Sequence, residues 1–223
     1  MDKKILASIV IIAVASMLLG AGTYSYFSDT ETSSGNVFQA GTGPDLKLSH
    51  SSLGPWTDRV TGTWTLSDMK PGHETPLASV YFKNFGSVPS NTMTITCEYS
   101  VDEETNPVES DTDPYTNEHP DEMAKYMVIT YMYYRDDNIN INCLTGEDDG
   151  YPPNENWRVN DTDLDGRITL YDLKMDPLVN LPSPDTQPLS ITQLDMRIKF
   201  DENAGDDFQG DIFDLTMIFT LNQ

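Results

Sequence analysis

The amino-acid sequence predicts an all-β protein, a jelly-roll-like β-sandwich with long loop insertions, and two observations carry that expectation. Apolar and polar residues alternate with a period of two along most of the chain, while sustained helical periodicity is nearly absent. The alternating runs are short, and clusters of Gly, Pro, Asn and Asp punctuate them as turns, the pattern of a sandwich or jelly roll.

The chain opens on a segment of another kind. Lys3 and Lys4 make a short basic start, and the run 5–19 carries no charge. These are the n-region and h-region of a secretory signal, shorter than the ~20 apolar residues of a membrane-spanning helix. Small residues follow in a cleavage-like pattern, so 1–25 reads as a removable signal peptide cut between Ser25 and Tyr26. A retained membrane anchor is the alternative, because 20–26 extends the apolar run. Export leaves an N-terminal segment, 26–43, ahead of a sandwich domain, 44–223, in a protein expected to be secreted and extracellular or at the cell surface.

Candidate strands follow at 45–50, 62–67, 77–85, 92–101 and 125–134. The last of these is apolar on both faces from Tyr126 to Tyr134, as suits a central strand with an insertion or a neighbouring subunit on its second face. In 193–200 every apolar residue falls on one side, and Phe213, Leu215, Met217, Phe219 and Leu221 repeat the pattern against Asp214, Thr216 and Thr220. The link 201–210 is acidic and contains Gly205, so these two strands are expected to form a closing hairpin. Two stretches read as insertions. One is an acidic loop, 102–122, with Pro107, Pro114 and Pro120 and no Lys or Arg; the other, 144–187, is rich in Gly, Pro, Asp and Asn.

Charge excludes some partners. With 36 acidic and 13 basic residues the chain carries a net charge of −23, which repels nucleic acid and anionic lipid and attracts divalent cations. No nucleic-acid partner is expected, and no membrane partner after processing. The two cysteines sit on apolar faces, Cys97 with Met93 and Ile95, and Cys143 with Ile139 and Ile141. An even count in an exported protein permits a Cys97–Cys143 disulfide, worth about 4 kcal/mol by loop entropy. Two buried free thiols are the alternative.

The one sharp chemical motif lies in the second insertion: Asp161-Thr162-Asp163-Leu164-Asp165-Gly166-Arg167-Ile168-Thr169-Leu170-Tyr171-Asp172. Calcium takes 6–8 oxygen ligands, and acids at loop positions 1, 3, 5 and 12 with glycine at 6 meet that need. Asp161, Asp163 and Asp165 converge from one turn, Gly166 permits the bend, the Arg167 carbonyl adds an oxygen, Thr169 acts directly or through water, and Asp172 closes the shell. Asp at position 12 resembles dockerin calcium loops, although a single loop does not imply cohesin binding. An acidic surface turn is the alternative. Calcium, the one cofactor expected, would order a polar insertion that has little apolar content of its own. The only Asn-X-Ser/Thr sequon, at Asn160, would crowd the ion if glycosylated, so an unmodified Asn160 is expected. Nothing points to catalysis: His50, His73 and His119 have no zinc spacing, no nucleophile elbow or phosphate loop occurs, and neither cysteine has an activating neighbour.

Gly20-Ala21-Gly22-Thr23-Tyr24-Ser25-Tyr26-Phe27-Ser28-Asp29-Thr30-Glu31, with Phe38-Gln39-Ala40-Gly41-Thr42 and Asp45-Leu46-Lys47-Leu48, resembles the opening of the TasA and camelysin family. Met69-Lys70-Pro71-Gly72, Val80-Tyr81-Phe82-Lys83-Asn84-Phe85-Gly86-Ser87 and Gln209-Gly210-Asp211 resemble its later blocks. The likeness spans both ends and the first third; the acidic and calcium loops look like additions. It implies a jelly-roll sandwich, a SipW-type signal peptidase as partner during export, and fibres of a biofilm matrix, or pili and bundling threads in archaeal relatives. It further implies a head-to-tail homopolymer in which the N-terminal segment of one subunit completes the sheet of the next. Tyr26, Phe27, Val37 and Phe38 are the side chains expected to fill pockets in such a donor strand, 26–38; a disordered N-terminus is the alternative. Camelysin carries a metalloprotease label, but the zinc spacing is missing, so no enzyme activity is expected. The resulting expectation is a calcium-stabilised filament subunit. A monomeric calcium-dependent surface adhesin and a camelysin-like secreted protease are its rivals.

Overall fold

The alternating runs become strands wherever one face can be buried. The computed structural model describes residues 29–32, 43–64, 70–103, 119–148, 154–184, 186, 191–205, 208 and 211–223. Among them the strands are β1 (Asp29–Thr32), β2 (Leu46–Ser49), β3 (Ala78–Asn84), β4 (Thr92–Glu103), β5 (Met127–Arg135), β6 (Asn140–Asn142), β7 (Leu178–Pro182), β8 (Thr192–Phe200) and β9 (Asp211–Asn222). Two short helices, α1 (Pro120–Ala124) and α2 (Leu170–Met175), and a 3₁₀ turn at Glu155–Trp157 complete the described elements.

Two antiparallel sheets result, ordered β1-β9-β4-β7 and β2-β3-β8-β5-β6. The first is built on one long ladder, in which β4 and β9 pair without a break from Thr92↔Asn222 to Glu103↔Asp211. Alternation turns Met93, Ile95, Cys97, Tyr99 and Val101 of β4 inward, with Met217, Phe219 and Leu221 of β9 beside them. Leu46, Leu48, Val80, Phe82, Met132, Tyr134, Leu194, Met196 and Ile198 face them from the second sheet. The layers meet where Phe82 of β3 and Phe219 of β9 pack with ring centroids 4.7 Å apart. Burying a side chain of this size contributes about 1.5–3 kcal/mol. The buried Tyr134 hydroxyl is satisfied by donating to the Pro182 carbonyl at 2.5 Å.

The expected strands at 45–50, 77–85, 92–101, 125–134, 193–200 and 213–221 all form. Residues 62–64 are not strand, and 65–69 lie outside the described residues. Strand β5 has the expected two-sided character. A register shift between Ile129 and Tyr131 keeps both Ile129 and Met132 in the core, while Val128, Tyr131 and Tyr133 are half-buried on the outer face. The rings of Tyr131 and Tyr133 lie 4.6 Å apart there.

Three expectations need correction. β8 and β9 do not form a hairpin: β8 pairs with β3 and β5, β9 with β1 and β4, so the 201–210 link crosses from one sheet to the other. Cys97 and Cys143 are both buried, as the alternation required, but they are free thiols. Cys97 Sγ donates to the Leu170 carbonyl at 3.4 Å and Cys143 Sγ to the Ile141 carbonyl at 3.9 Å. Burial pushes both thiols up to about 12. The segment 144–187, expected as loop, supplies β7, which pairs with the start of β4. The N-terminal segment enters the description only through β1, whose register runs from Asp29↔Leu221 to Thr32↔Ile218. Ser25, Tyr26, Phe27, Val37 and Phe38 lie outside the described residues, as do the signal peptide and 104–118 of the acidic loop.

Candidate metal centre

The loop 161–172 is anchored before it turns. Val159, which is buried, donates its backbone N–H to the Cys143 carbonyl at 2.9 Å. The Asn160 side chain is held from both sides, accepting from Arg158 Nε at 2.8 Å and donating to Asp176 Oδ2 at 2.7 Å. The chain then reverses through two left-handed residues, Leu164 at φ 61° and Gly166 at φ 86°. A side chain at Gly166 would meet nothing within 4 Å, so glycine is there for its backbone freedom and not for space.

Within that turn Asp161 Oδ1 and Oδ2 accept from the backbone N–H groups of Asp165 at 3.2 Å and Gly166 at 2.8 Å. Carboxylate oxygens of Asp161, Asp163 and Asp165 lie within 4.8 Å of one another. Burial pushes the Asp163 carboxyl above its ordinary range, and the charges of Asp165, Asp172 and Asp161 push it further. Burial acts the same way on Asp165, but Arg167 overrides it and holds that carboxyl below the usual range.

The two remaining ligand candidates are placed differently. Asp172, fully buried, accepts at Oδ1 from the backbone N and Oγ1 of Thr162, both at 2.7 Å. At Oδ2 it accepts from the backbone N of Thr169 at 2.9 Å and from Thr169 Oγ1 at 2.7 Å. Thr169 and Asp172 thus form the capping box of α2, and Asp172 clasps the first turn of the loop to that helix instead of joining the converging carboxylates. Thr169-x-x-Asp172 is a readable cap signal, and it would have located α2 from the sequence.

The exit of the loop is stitched to the second sheet. Ile129 N donates to the Ile168 carbonyl at 2.8 Å, and Val128 and Thr169 form an antiparallel bridge, so the loop continues the β5 edge beyond β6. Around α2, Lys174 Nζ lies 4.3 Å from the Tyr99 ring centroid and 3.2 Å from Asp121 Oδ1, which also accepts from Tyr99 OH at 2.7 Å. The helices and the loop are therefore tied to the sandwich where β4 ends and β5 begins.

The described elements define an all-β protein of two antiparallel sheets. The chain belongs to the camelysin metallo-endopeptidase family, the camelysin/TasA type, whose model matches residues 1–223. This family is extracellular or surface-associated. A comparison with curated proteins gives no match. Among the described residues no helix is long and apolar enough to cross a membrane.

The family description implies a metal, and the donor set can be tested against it. Zinc in peptidases is held by imidazole with carboxylate, whereas among the described residues the group that could hold a metal is Asp161, Asp163 and Asp165, without nitrogen or sulfur. His50, His73 and His119 are not part of it, and His50 Nε2 is engaged by the Thr61 carbonyl at 3.0 Å. These residues do not fit a zinc peptidase centre. An all-oxygen set fits a hard divalent cation.

Proposed function

We propose that this protein is a structural subunit of an extracellular filament, a pilus or biofilm-matrix fibre, that polymerises by donor-strand complementation and is stabilised by calcium. The observation that supports this reading most is the pairing of β1 with β9. Asp29–Thr32 belongs to the N-terminal segment expected to donate a strand, and it lies at the edge of the first sheet. A strand of four residues brings few ladder hydrogen bonds, and an identical strand from a second copy satisfies the same backbone groups of β9 equally well. Exchange repeated head-to-tail is heterologous and does not close, which gives a filament.

Calcium would be held by Asp161, Asp163 and Asp165 with the Arg167 carbonyl, while Thr169 and Asp172 brace the loop through the capping box of α2. It would offset the mutual repulsion that adds to burial in pushing Asp163 upward. The protein has a structural role in this reading and no catalytic one. Deleting 26–38 is the decisive experiment: negative-stain microscopy should show filaments for the full mature chain and only monomers for the deletion. Filaments from the deletion would sink the donor-strand mechanism. A β1–β9 pairing kept permanently within one chain gives the second reading, a monomeric calcium-dependent surface adhesin, which predicts no filaments from either protein. A casein assay with and without chelator tests the peptidase named in the family description, and chelator-sensitive cleavage would replace the structural reading.

A further inference from the structure

Arg167 connects the carboxylate turn to a distant part of the chain. Its Nε donates to Asp165 Oδ2 at 2.8 Å, its Nη2 contacts the same oxygen, and its backbone N donates to Asp165 Oδ1 at 2.8 Å. On its other side Nη1 lies 3.2 Å from Asp201 Oδ2, and the guanidinium carbon is 5.1 Å from the centroid of the Tyr126 ring. Asp201 opens the link from β8 to β9. It is fixed there by its backbone N–H donating to the Tyr126 carbonyl at 2.8 Å and by Asn203, whose N and Nδ2 donate to Asp201 Oδ1 at 2.7 and 2.8 Å.

A carboxylate oxygen has two lone pairs, and both on Asp165 Oδ2 are taken by one guanidinium. A divalent cation that ligates this oxygen must displace Arg167, and one at Oδ1, which already accepts from the Arg167 backbone N–H, is repelled by the same guanidinium. The displaced group has a ready acceptor in Asp201 and a ring face in Tyr126. We infer that Arg167 is a built-in competitor for the calcium loop, yielding Asp165 to the ion and transferring its guanidinium to Asp201. The inference rests on the calcium reading of the loop and deepens it: affinity for the ion is set partly from the link that leads into β9. Because coupling is reciprocal, a filled loop strengthens the Arg167–Asp201 contact.

Calorimetric titration of the mature chain with calcium chloride tests this on three variants. Arg167→Gln removes the competitor and should tighten binding by about two- to fivefold, the worth of a partly exposed ion pair. Asp201→Asn removes the alternative acceptor and should weaken binding by a similar factor. Simple charge effects would add, whereas transfer of one guanidinium predicts that Asp201→Asn has no further effect once Arg167→Gln is present. Additive changes in the double variant, or unchanged affinity in Arg167→Gln, would overturn the inference and leave the calcium loop standing. Absence of calcium binding in the wild type and every variant would instead remove the loop assignment itself.

Discussion

At the scale of single residues, Asp172 and Asp163 illustrate two uses of one side chain. Asp163 is exposed and surrounded by like charge, whereas Asp172 is buried and accepts four hydrogen bonds that join the loop to α2. Asp172→Asn keeps the shape but turns an amide against donors, so it should cost about 1–3 kcal/mol in the metal-free protein. Asp163→Asn should be neutral or mildly stabilising there and should lose calcium binding. Thermal unfolding in chelator separates them, and equal midpoints would refute the clasp. Asp121 carries a pH signature. Burial alone would raise its carboxyl, but the bonds from Tyr99 and Lys174, with the charges of Lys174 and Lys125, hold it below the usual range. Its folded pKa is depressed, so its stabilisation is full above the ordinary carboxylate value of about 3.9 and is lost as pH falls through the folded pKa. The gap in unfolding midpoint between wild type and Asp121→Asn should therefore close on acidification. A gap independent of pH would remove this role. The aspartates of the turn were legible from spacing alone, whereas the division of labour between Asp163 and Asp172 was not, because spacing says nothing of which carboxylate the backbone claims first.

At the scale of elements, the β4–β9 ladder carries the first sheet, and Phe219 packs from it onto Phe82 of the second. Phe219→Ala leaves a cavity against Phe82 and should cost about 3–5 kcal/mol. Chemical denaturation measures it, and a loss below about 1 kcal/mol would mean that the layers collapse onto the space. Most strands were readable because alternation at Met93, Ile95 and Cys97, or at Leu194, Met196 and Ile198, marks an inward face. The same periodicity is silent on sheet membership. It therefore assigned β8 and β9 to one hairpin although they belong to different layers. It also placed both cysteines in the core without saying that they face different carbonyls. Strand β7 escaped because Asn180 adopts a left-handed φ of 56° in a five-residue strand ending in proline, features that read as loop.

At the scale of the whole molecule, a net charge of −23 sets the response to solution conditions. Self-repulsion of this size opposes compaction and is screened by salt, so monovalent salt should raise the unfolding midpoint steadily. Calcium should raise it further at equal ionic strength, and magnesium less so, because Mg²⁺ demands octahedral geometry and sheds water reluctantly. Scanning calorimetry over matched potassium, magnesium and calcium chloride series checks this. Identical curves for the two divalent salts would reduce the loop to a generic sink of charge. The order in which the strands become available follows from the pairing of Asp29 with Leu221. The partner of β1 follows all the other described strands, so an emerging chain carries β1 unmatched while β2 to β8 are made. Such long-range pairing is slow, and β9 when it arrives is open to whichever matching strand is nearest. On the filament reading proposed above, crowding of the chains, more than any change in their structure, would then decide between a closed subunit and a growing thread.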